Sequence, residues 1–447
     1  MQYPNILVLG AGRSSSALIS YLLREGATRR WTVVVGDLDE NLARQRVAQA
    51  PHGRAVYFNM DDEANAKVVI ASADVVISLL PAAFHPKVAA VCLALGKHLL
   101  TASYVAPAMQ ALHDQAKASG LLFLNECGLD PGIDHMSAMA IIHRLTANEF
   151  NITSFESFTG GLIDPASDPD NPWSYRFTWN PRNVVVAGQG TAKYREDGKP
   201  KYIPYHQLFE RTTPIDVPGI GQLDGYANRD SLQYADVYGL QNINTMIRGT
   251  LRFQGFCAAW NVLVQLGCTD DTYLMEQVRD LTHAQFLERF VKAGAEPLAE
   301  RVGRTARVSA TGAELERLRW AGFFSSEPIG RGDGTPAQIT EHILSKCWAL
   351  QPNHRDLVVM WHRFKAHKNT HVLEIESSFS LTGDAHETAM AKTVGWPLAI
   401  AAKLLITGAL HARGVVVPVH QAVYTPMLRE LEMLGVRFVE TERTLNA

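Results

Sequence analysis

The sequence predicts an α/β fold: an N-terminal doubly wound parallel sheet, then a mixed α/β domain that carries a helical insertion. Three observations lead there. Strand-like and helix-like patterns alternate without a break from residue 5 to residue 125, which is how a parallel sheet with helices on both faces reads. Beyond residue 126 the pattern changes to β-branched and aromatic segments separated by loops rich in Pro and Gly. From about 270 to 325 it is instead helix-rich, with charged faces and Leu spacings such as Leu315 and Leu318. At 447 residues and 47% hydrophobic, the chain is long enough for two or three domains with a substantial core.

The elements follow in order. Ile6 to Leu9 predict an apolar strand. Gly10 permits a tight turn, and Gly12 lets backbone amides approach a pyrophosphate. The next helix carries Leu18, Ile19, Leu22 and Leu23 on one face, and a second strand through Val33 to Val35 ends at Asp37. Strand, glycine turn, helix, strand and terminal acid form a Rossmann dinucleotide fingerprint, with phosphates at a helix N-terminus and a carboxylate on the ribose. Ser15 stands where a third Gly or Ala usually packs helix on strand, and serine is small enough for that task. The competing reading is a turn in an α/β domain that holds no phosphate. Helices are predicted at about 40–49, 64–71, 86–95 and 106–119, with strands at 55–59, 74–80, 98–101 and 121–125. Residues 1–126 therefore form the nucleotide domain.

Asp130-Pro131-Gly132 reads as a helix start, with Asp130 as N-cap and Pro131 in the first turn. Residues 127–269 and 336–392 are assigned to the mixed α/β domain, mostly antiparallel, with Pro214 to Gly225 as a loop. Residues 270–335 are assigned to a helical insertion. Residues 358–364 and 372–375 predict a hairpin around Lys368-Asn369. Asp384 and Glu387 predict the start of a helix reaching about Thr407, and 393–447 form a helix and tail returning towards the first domain.

Bulk properties narrow the function. A net charge of −3 argues against nucleic acid or a membrane surface as a partner. The N-terminus shows no basic region or cleavage site, and Trp396 to Leu410 contains Lys403 and is short for a membrane span. The cysteines Cys92, Cys127, Cys257, Cys268 and Cys347 are odd in number and lack a C-x-x-C pair. Reduced thiols and a cytoplasmic location are expected. His367 and His371 flank a polar turn without a third ligand, so no metal is expected.

Ligands of doubly wound sheets bind beyond the carboxyl ends of the strands. That rule selects Gly10, Ala11, Gly12, Arg13 and Ser14 after the first strand, Asp37 after the second, and Leu79 to Ala82 after the fourth. It selects Ala102, Ser103 and Tyr104 after the fifth strand, and Asn125 to Asp130 after the sixth. Asp130 as a helix cap and Tyr104 as a packing aromatic remain open. Arg229, Arg248 and Arg252 lie in Gly-adjacent segments of the mixed domain. Guanidinium forks hold carboxylates, although surface ion pairing explains many single arginines.

Several strings together resemble one family. They are Gly-Leu-Asp-Pro-Gly-Ile-Asp-His (128–135), Thr-Ala-Ser-Tyr-Val (101–105), Gly-Gly-Leu (160–162), Asn-Arg-Asp-Ser (228–231), Arg-Gly-Thr-Leu-Arg (248–252) and Ala-Met-Ala-Lys-Thr-Val-Gly (389–395). The sequence resembles saccharopine dehydrogenase of the glutamate-forming type over nearly its whole length. The resemblance implies a homodimer and the interconversion of saccharopine with L-glutamate and 2-aminoadipate 6-semialdehyde, using NAD or NADP. It implies cofactor contacts at Ala11 to Ser14, Asp37, Asn59, Met60, Ala102, Ser103, Leu129, Asp130 and Pro131. It implies substrate contacts at Ser103, Tyr104, Asp130, Arg229, Thr250, Leu251 and Arg252, but not Arg248. Asp130 and Tyr104 are the expected catalytic pair, handling the proton that accompanies hydride transfer.

Two departures matter. NADP-using members tend to have Arg where this chain has Asp37, which favours NAD, although Arg13 or Arg44 could offset the acid. Thr159 stands where other members can show Cys, so no cysteine acts there. The nearest alternative is a carboxynorspermidine-type reductive coupling, for which acids would replace Arg229 and Arg252. A non-catalytic nucleotide-sensing module ranks below both.

Overall fold

The structure, a computed structural model, describes residues 3–445. The chain divides into two compact units. One holds the described residues up to Phe150 together with His386–Phe438, and the other holds Asn151–Ala385 with the described residues from Val439 onward.

The first unit is built on a seven-stranded sheet that is parallel throughout. Its order across the sheet is Gly414–Val416, Leu122–Leu124, His98–Thr101, Val75–Ser78, Asn5–Leu9, Thr32–Asp37, Gly53–Tyr57. Ile6 to Leu9, Val33 to Val35 and Val75 to Ile77 are buried, as expected of strands covered on both faces. The chain builds outward from Asn5–Leu9 to Gly53–Tyr57, then returns to lay Val75–Ser78 on the other side. The crevice of a doubly wound sheet opens at that reversal.

The six expected strands form close to their expected bounds. The helix expected at 106–119 is two short ones, Pro107–Gln110 and His113–Ala118. The seventh strand, Gly414–Val416, was not expected, because three residues far along the chain carry no periodicity that assigns them to a sheet. The helix expected to begin near Asp384 begins at Ala389, where the Thr388 hydroxyl accepts from the Ala391 N–H at 3.0 Å. This helix, Ala389–Ile406, is long and apolar enough to cross a membrane, yet its side chains are mostly buried inside the unit. Gly395 explains how it packs. A Cβ there would lie 2.8 Å from the backbone N of Leu18, on the helix Ser16–Arg29.

The unit boundaries differ from those expected. Residues 127–150 go with the first unit, because Ile133–Ala147 packs there and His143 Nδ1 meets the Tyr424 hydroxyl at 2.7 Å. The tail 393–447 is split, because Val439–Leu445 pairs antiparallel with His371–Thr382 in the second unit.

The second unit is a mixed sheet, and its main path runs Thr213–Val217, Gly221–Ala227, Thr245–Phe253, Asn151–Ile163, Asp356–Lys368, His371–Thr382, Val439–Leu445. Among the described strands, Thr245–Phe253 and Asn151–Ile163 make the one parallel pair of this sheet. Thr191–Glu196 and Lys199–Pro204 form a hairpin off it. Residues 214–225, expected as a loop, form two strands, with Pro214 tolerated on the edge. The hairpin at Lys368-Asn369 forms as expected, with Asn369 at φ 53°.

Helical residues 270–335 are not a separate body. Phe286, Leu287, Val302, Leu315, Leu318 and Phe323 share one core with Trp173, Tyr175, Phe177, Trp260 and Trp348. The opposite cluster holds Phe158, Leu162, Leu223, Leu251, Leu357 and Trp361.

Candidate active site

In the first unit the glycine turn has the form the fingerprint requires. Gly10 adopts φ +101°, which favours glycine, and a Cβ there would press on the Leu79 carbonyl oxygen at 3.2 Å. A Cβ at Gly12 would meet nothing within 4 Å, so space adjoins the loop. No side-chain cap closes the start of the Arg13–Ser15 turn or of the helix Ser16–Arg29, the arrangement in which a helix N-terminus receives an anion. Ser15 is buried and donates to the Gly12 carbonyl at 2.8 Å, so serine does fill the small-residue place. These features fit a dinucleotide pyrophosphate.

Asp37 is held in place. Its carboxylate accepts from the Ala11 N–H at 2.7 Å and the Asp39 N–H at 2.9 Å. Arg46 grips the same loop from the other side, donating to the carbonyls of Ala11 and Gly12 at 3.0 and 3.1 Å. Sequence reasoning missed Arg46, which has no signal short of the folded loop. Asn59 follows the third strand, and its side chain accepts from the Asp61 N–H at 3.0 Å. Met60 beside it is buried, as is Leu129.

At the ends of the fourth and fifth strands lies a buried polar cluster. His85 Nδ1 is 3.0 Å from the Ser78 hydroxyl. Its Nε2 is 2.8 Å from Ser103 Oγ and 3.1 Å from Thr101 Oγ1. Burial pushes the imidazole pKa down to about 4, so His85 is neutral at physiological pH. Sequence reasoning missed it, although a histidine just past the carboxyl end of a strand at the chain reversal is a usable signal.

The Gly128–Gly132 segment does not start a helix at Asp130. The Asp130-Pro131 peptide is cis, Gly132 is at φ +147°, and the helix begins at Ile133. The segment folds onto itself, with Gly128 N–H on the Pro131 carbonyl and Ile133 N–H on the Gly128 carbonyl, both at 2.9 Å. A Cβ on Gly132 would sit 2.1 Å from the Gly128 carbonyl oxygen. Asp130 is thus an exposed turn residue rather than a cap, because the turn between Gly128 and Gly132 uses up the cap position. Behind it, Glu126 accepts from Val105 N–H at 3.0 Å and meets His135 Nε2 at 2.8 Å. That buried pair ties the half-buried Tyr104 segment to the Asp130 segment. Cys127 is buried and its thiol is pushed up by burial, which leaves it inert.

In the second unit Arg252 is the distinctive group. It is 5% exposed, with its guanidinium 5.0 Å from the Tyr175 ring, 5.2 Å from Phe256 and 6.0 Å from Tyr226. It donates to the Leu251 carbonyl at 2.9 Å, while its Nε has no partner. Among the described residues no carboxylate lies within ion-pair distance of it. Thr250 receives an amide N–H from Asn228 at 3.4 Å. Leu251 points the other way, fully buried in the opposite cluster, so only its main chain can reach a ligand. Arg229 is exposed in a turn at φ 53°. Arg248 instead stacks 4.3 Å from the Tyr234 ring. His371 meets Thr444, and the described residues hold no cluster suited to a metal.

The sequence and the fold match known proteins. The family described as saccharopine dehydrogenase NADP binding domain matches residues 6–124, and the saccharopine dehydrogenase C-terminal domain matches residues 128–436. The mitochondrial alpha-aminoadipic semialdehyde synthase of Mus musculus is 33% identical over 452 residues, which is 98% of this chain and 48% of that protein. The chain thus spans about half the length of such relatives. The NADP(+), L-glutamate-forming saccharopine dehydrogenase of Schizosaccharomyces pombe is 30% identical over 98% of both chains. The apo, histidine-tagged saccharopine dehydrogenase (L-Glu forming) from Saccharomyces cerevisiae has the same fold, with a TM-score of 0.87 at 29% identity over 99% of this chain and 100% of that one. A dinucleotide-binding parallel sheet joined to a C-terminal domain of this kind places the chain in the saccharopine dehydrogenase family.

Proposed function

We propose that this protein interconverts saccharopine with L-glutamate and 2-aminoadipate 6-semialdehyde as a nicotinamide-dependent oxidoreductase. The observation that carries the substrate class is Arg252. A buried guanidinium without a carboxylate is costly, and rings offset only part of that cost. A carboxylate of the substrate would complete the site. Arg229 and the Thr250 hydroxyl are the further substrate contacts. Carboxynorspermidine offers one carboxylate where saccharopine offers three, so a set of arginines, Arg252 with Arg229, fits saccharopine better.

In the oxidative direction the secondary amine loses a proton and its carbon loses hydride, forming a C=N bond. Water adds to that carbon, and the C–N bond breaks to release glutamate and the semialdehyde. The nicotinamide, when bound, accepts or returns the hydride. Gly10 to Ser14 would hold the pyrophosphate, and Leu79, Ala102 and Ser103 would flank the nicotinamide end. Tyr104 or Asp130 takes the amine proton; the exposed Asp130 is able to pass it to water.

For the cofactor, the Schizosaccharomyces pombe relative carries NADP(+) in its name, as does the family matched by the N-terminal unit. Here Asp37 fixes a negative charge where a 2′-phosphate would sit, Arg46 is spent on the glycine loop, and Arg44 pairs with Glu40. These features support NAD. The reading also holds that the protein is a cytoplasmic homodimer that binds neither nucleic acid nor membrane. The test is nicotinamide reduction by purified protein, with saccharopine and a carboxynorspermidine-type amine each offered with NAD and NADP. Saccharopine-dependent reduction is expected; turnover of the polyamine alone would overturn the reading.

A further inference from the structure

We infer that His85 is a positioning residue that orients the Ser103 hydroxyl towards the ligand. The inference rests on the proposed function only in taking Ser103 as a ligand contact. His85 is 4% exposed and lies at the start of the helix His85–Leu95, with three hydroxyl groups around its ring. Its hydrogen bonds constrain one another. A neutral imidazole has one N–H and one lone pair. Nε2 lies near two hydroxyl oxygens, Ser103 Oγ at 2.8 Å and Thr101 Oγ1 at 3.1 Å. One N–H can be shared between two oxygens, whereas one lone pair cannot well accept two O–H groups.

Nε2 therefore donates, and Nδ1 accepts from Ser78. Thr101 Oγ1 also accepts from the Ser103 N–H at 3.2 Å, which fixes the Ser103 backbone on the same anchor. With one lone pair of Ser103 Oγ taken by the ring, its own proton turns away from His85 and into the crevice. Ser103 then presents a donor, matched to a carboxylate oxygen of the amine substrate. Because its ring is buried and neutral, His85 holds this direction constant across the working pH range. Its action passes wholly through Ser103, so its loss should matter only while that hydroxyl is present.

The test is a double-mutant cycle. Wild type, His85→Leu, His85→Gln, Ser103→Ala and the His85→Leu/Ser103→Ala double are compared for kcat, substrate KM and cofactor Kd by fluorescence. His85→Leu should lower kcat at least tenfold with cofactor Kd within threefold, and His85→Gln, whose amide reaches the Nε2 position, should restore most of it. In the Ser103→Ala background His85→Leu should cost less than threefold more. An unchanged kcat in His85→Leu, or the same fold loss in both backgrounds, overturns the inference. Should His85→Leu fail to fold, Ser78→Ala breaks the chain at the other ring nitrogen. It should lower kcat at least threefold in wild type and not in Ser103→Ala, and equal losses overturn the inference. The cycle is run with whichever amine the wild type oxidises. A wild type that ignores saccharopine sinks the substrate reading, while the coupling still decides the role of His85.

Discussion

In the first unit the candidate site is set by main chain. Gly10, Gly128 and Gly132 let loops pass where a Cβ would collide, and Asp37 and Arg46 clamp loop amides and carbonyls rather than face a ligand alone. The candidate site of the second unit is set by one side chain. Arg252 lies on a regular strand, and its surroundings are the rings of Tyr175, Tyr226 and Phe256. Loops that bind through backbone suit a ligand part common to many proteins, such as a pyrophosphate. A buried charge amid rings suits a ligand part particular to one substrate. The two units should therefore fail differently when altered.

The largest expected effect is at Gly132. Ala there puts a Cβ into the Gly128 carbonyl at a φ that side chains rarely adopt. Destabilisation of about 4 kcal/mol or more is expected, roughly 10 °C in Tm. A Gly132→Ala protein that melts like wild type would break the claim that main-chain clearance sets the first unit.

Arg252 sharpens the contrast. Arg252→Leu should weaken substrate binding by about 2–5 kcal/mol, read as KM, with cofactor affinity unchanged. Since it also removes a buried unpaired charge, Tm should hold or rise. A fall in Tm with KM intact would make Arg252 a structural stack.

His85 gives a pH dependence. Its folded pKa, about 4, lies below the ordinary value of 6.5, so the unfolded chain binds the extra proton between those limits. The stability this neutral ring contributes is complete above pH 6.5 and drains away as pH falls towards 4, by about 3 kcal/mol. His85→Gln should flatten that part of the denaturation profile measured from pH 7 to 4.5. An unchanged slope would show that the ring is not what titrates.

The smallest effect is at Asp37. Asp37→Ser should move the ratio of kcat/KM values for NAD and NADP towards NADP by about tenfold, ~1.4 kcal/mol. A wild type that already prefers NADP by that factor would shift the decision to Arg13.

The same contrast explains what the sequence made legible. Gly10, Gly12 and Asp37 were readable because a strand, turn and helix sit within a few dozen residues, and their roles are local. The strand Gly414–Val416 and the split of the tail were not, because pairing across hundreds of residues leaves no trace in a short window. Asp130 as a cap stays open in the sequence because Asp-Pro-Gly fits a helix start as well as the folded turn it forms. Arg252 was legible as an arginine near glycines, but its rings come from residues 175, 226 and 256, and only the fold gathers them. His85 was overlooked because its partners, Ser78, Thr101 and Ser103, are common residues whose convergence depends on strand order.

The chain crosses between the units after Phe150, after Ala385 and after Phe438. On a ribosome this means that the first unit waits for Gly414–Val416 and the second for Val439–Leu445. The strand Leu122–Leu124 waits for Gly414–Val416, and the helix Ser16–Arg29 waits for the helix carrying Gly395. At about 10 residues per second the delay is close to half a minute, with a hydrophobic sheet edge open throughout. A version cut after residue 385 would strand both units unfinished.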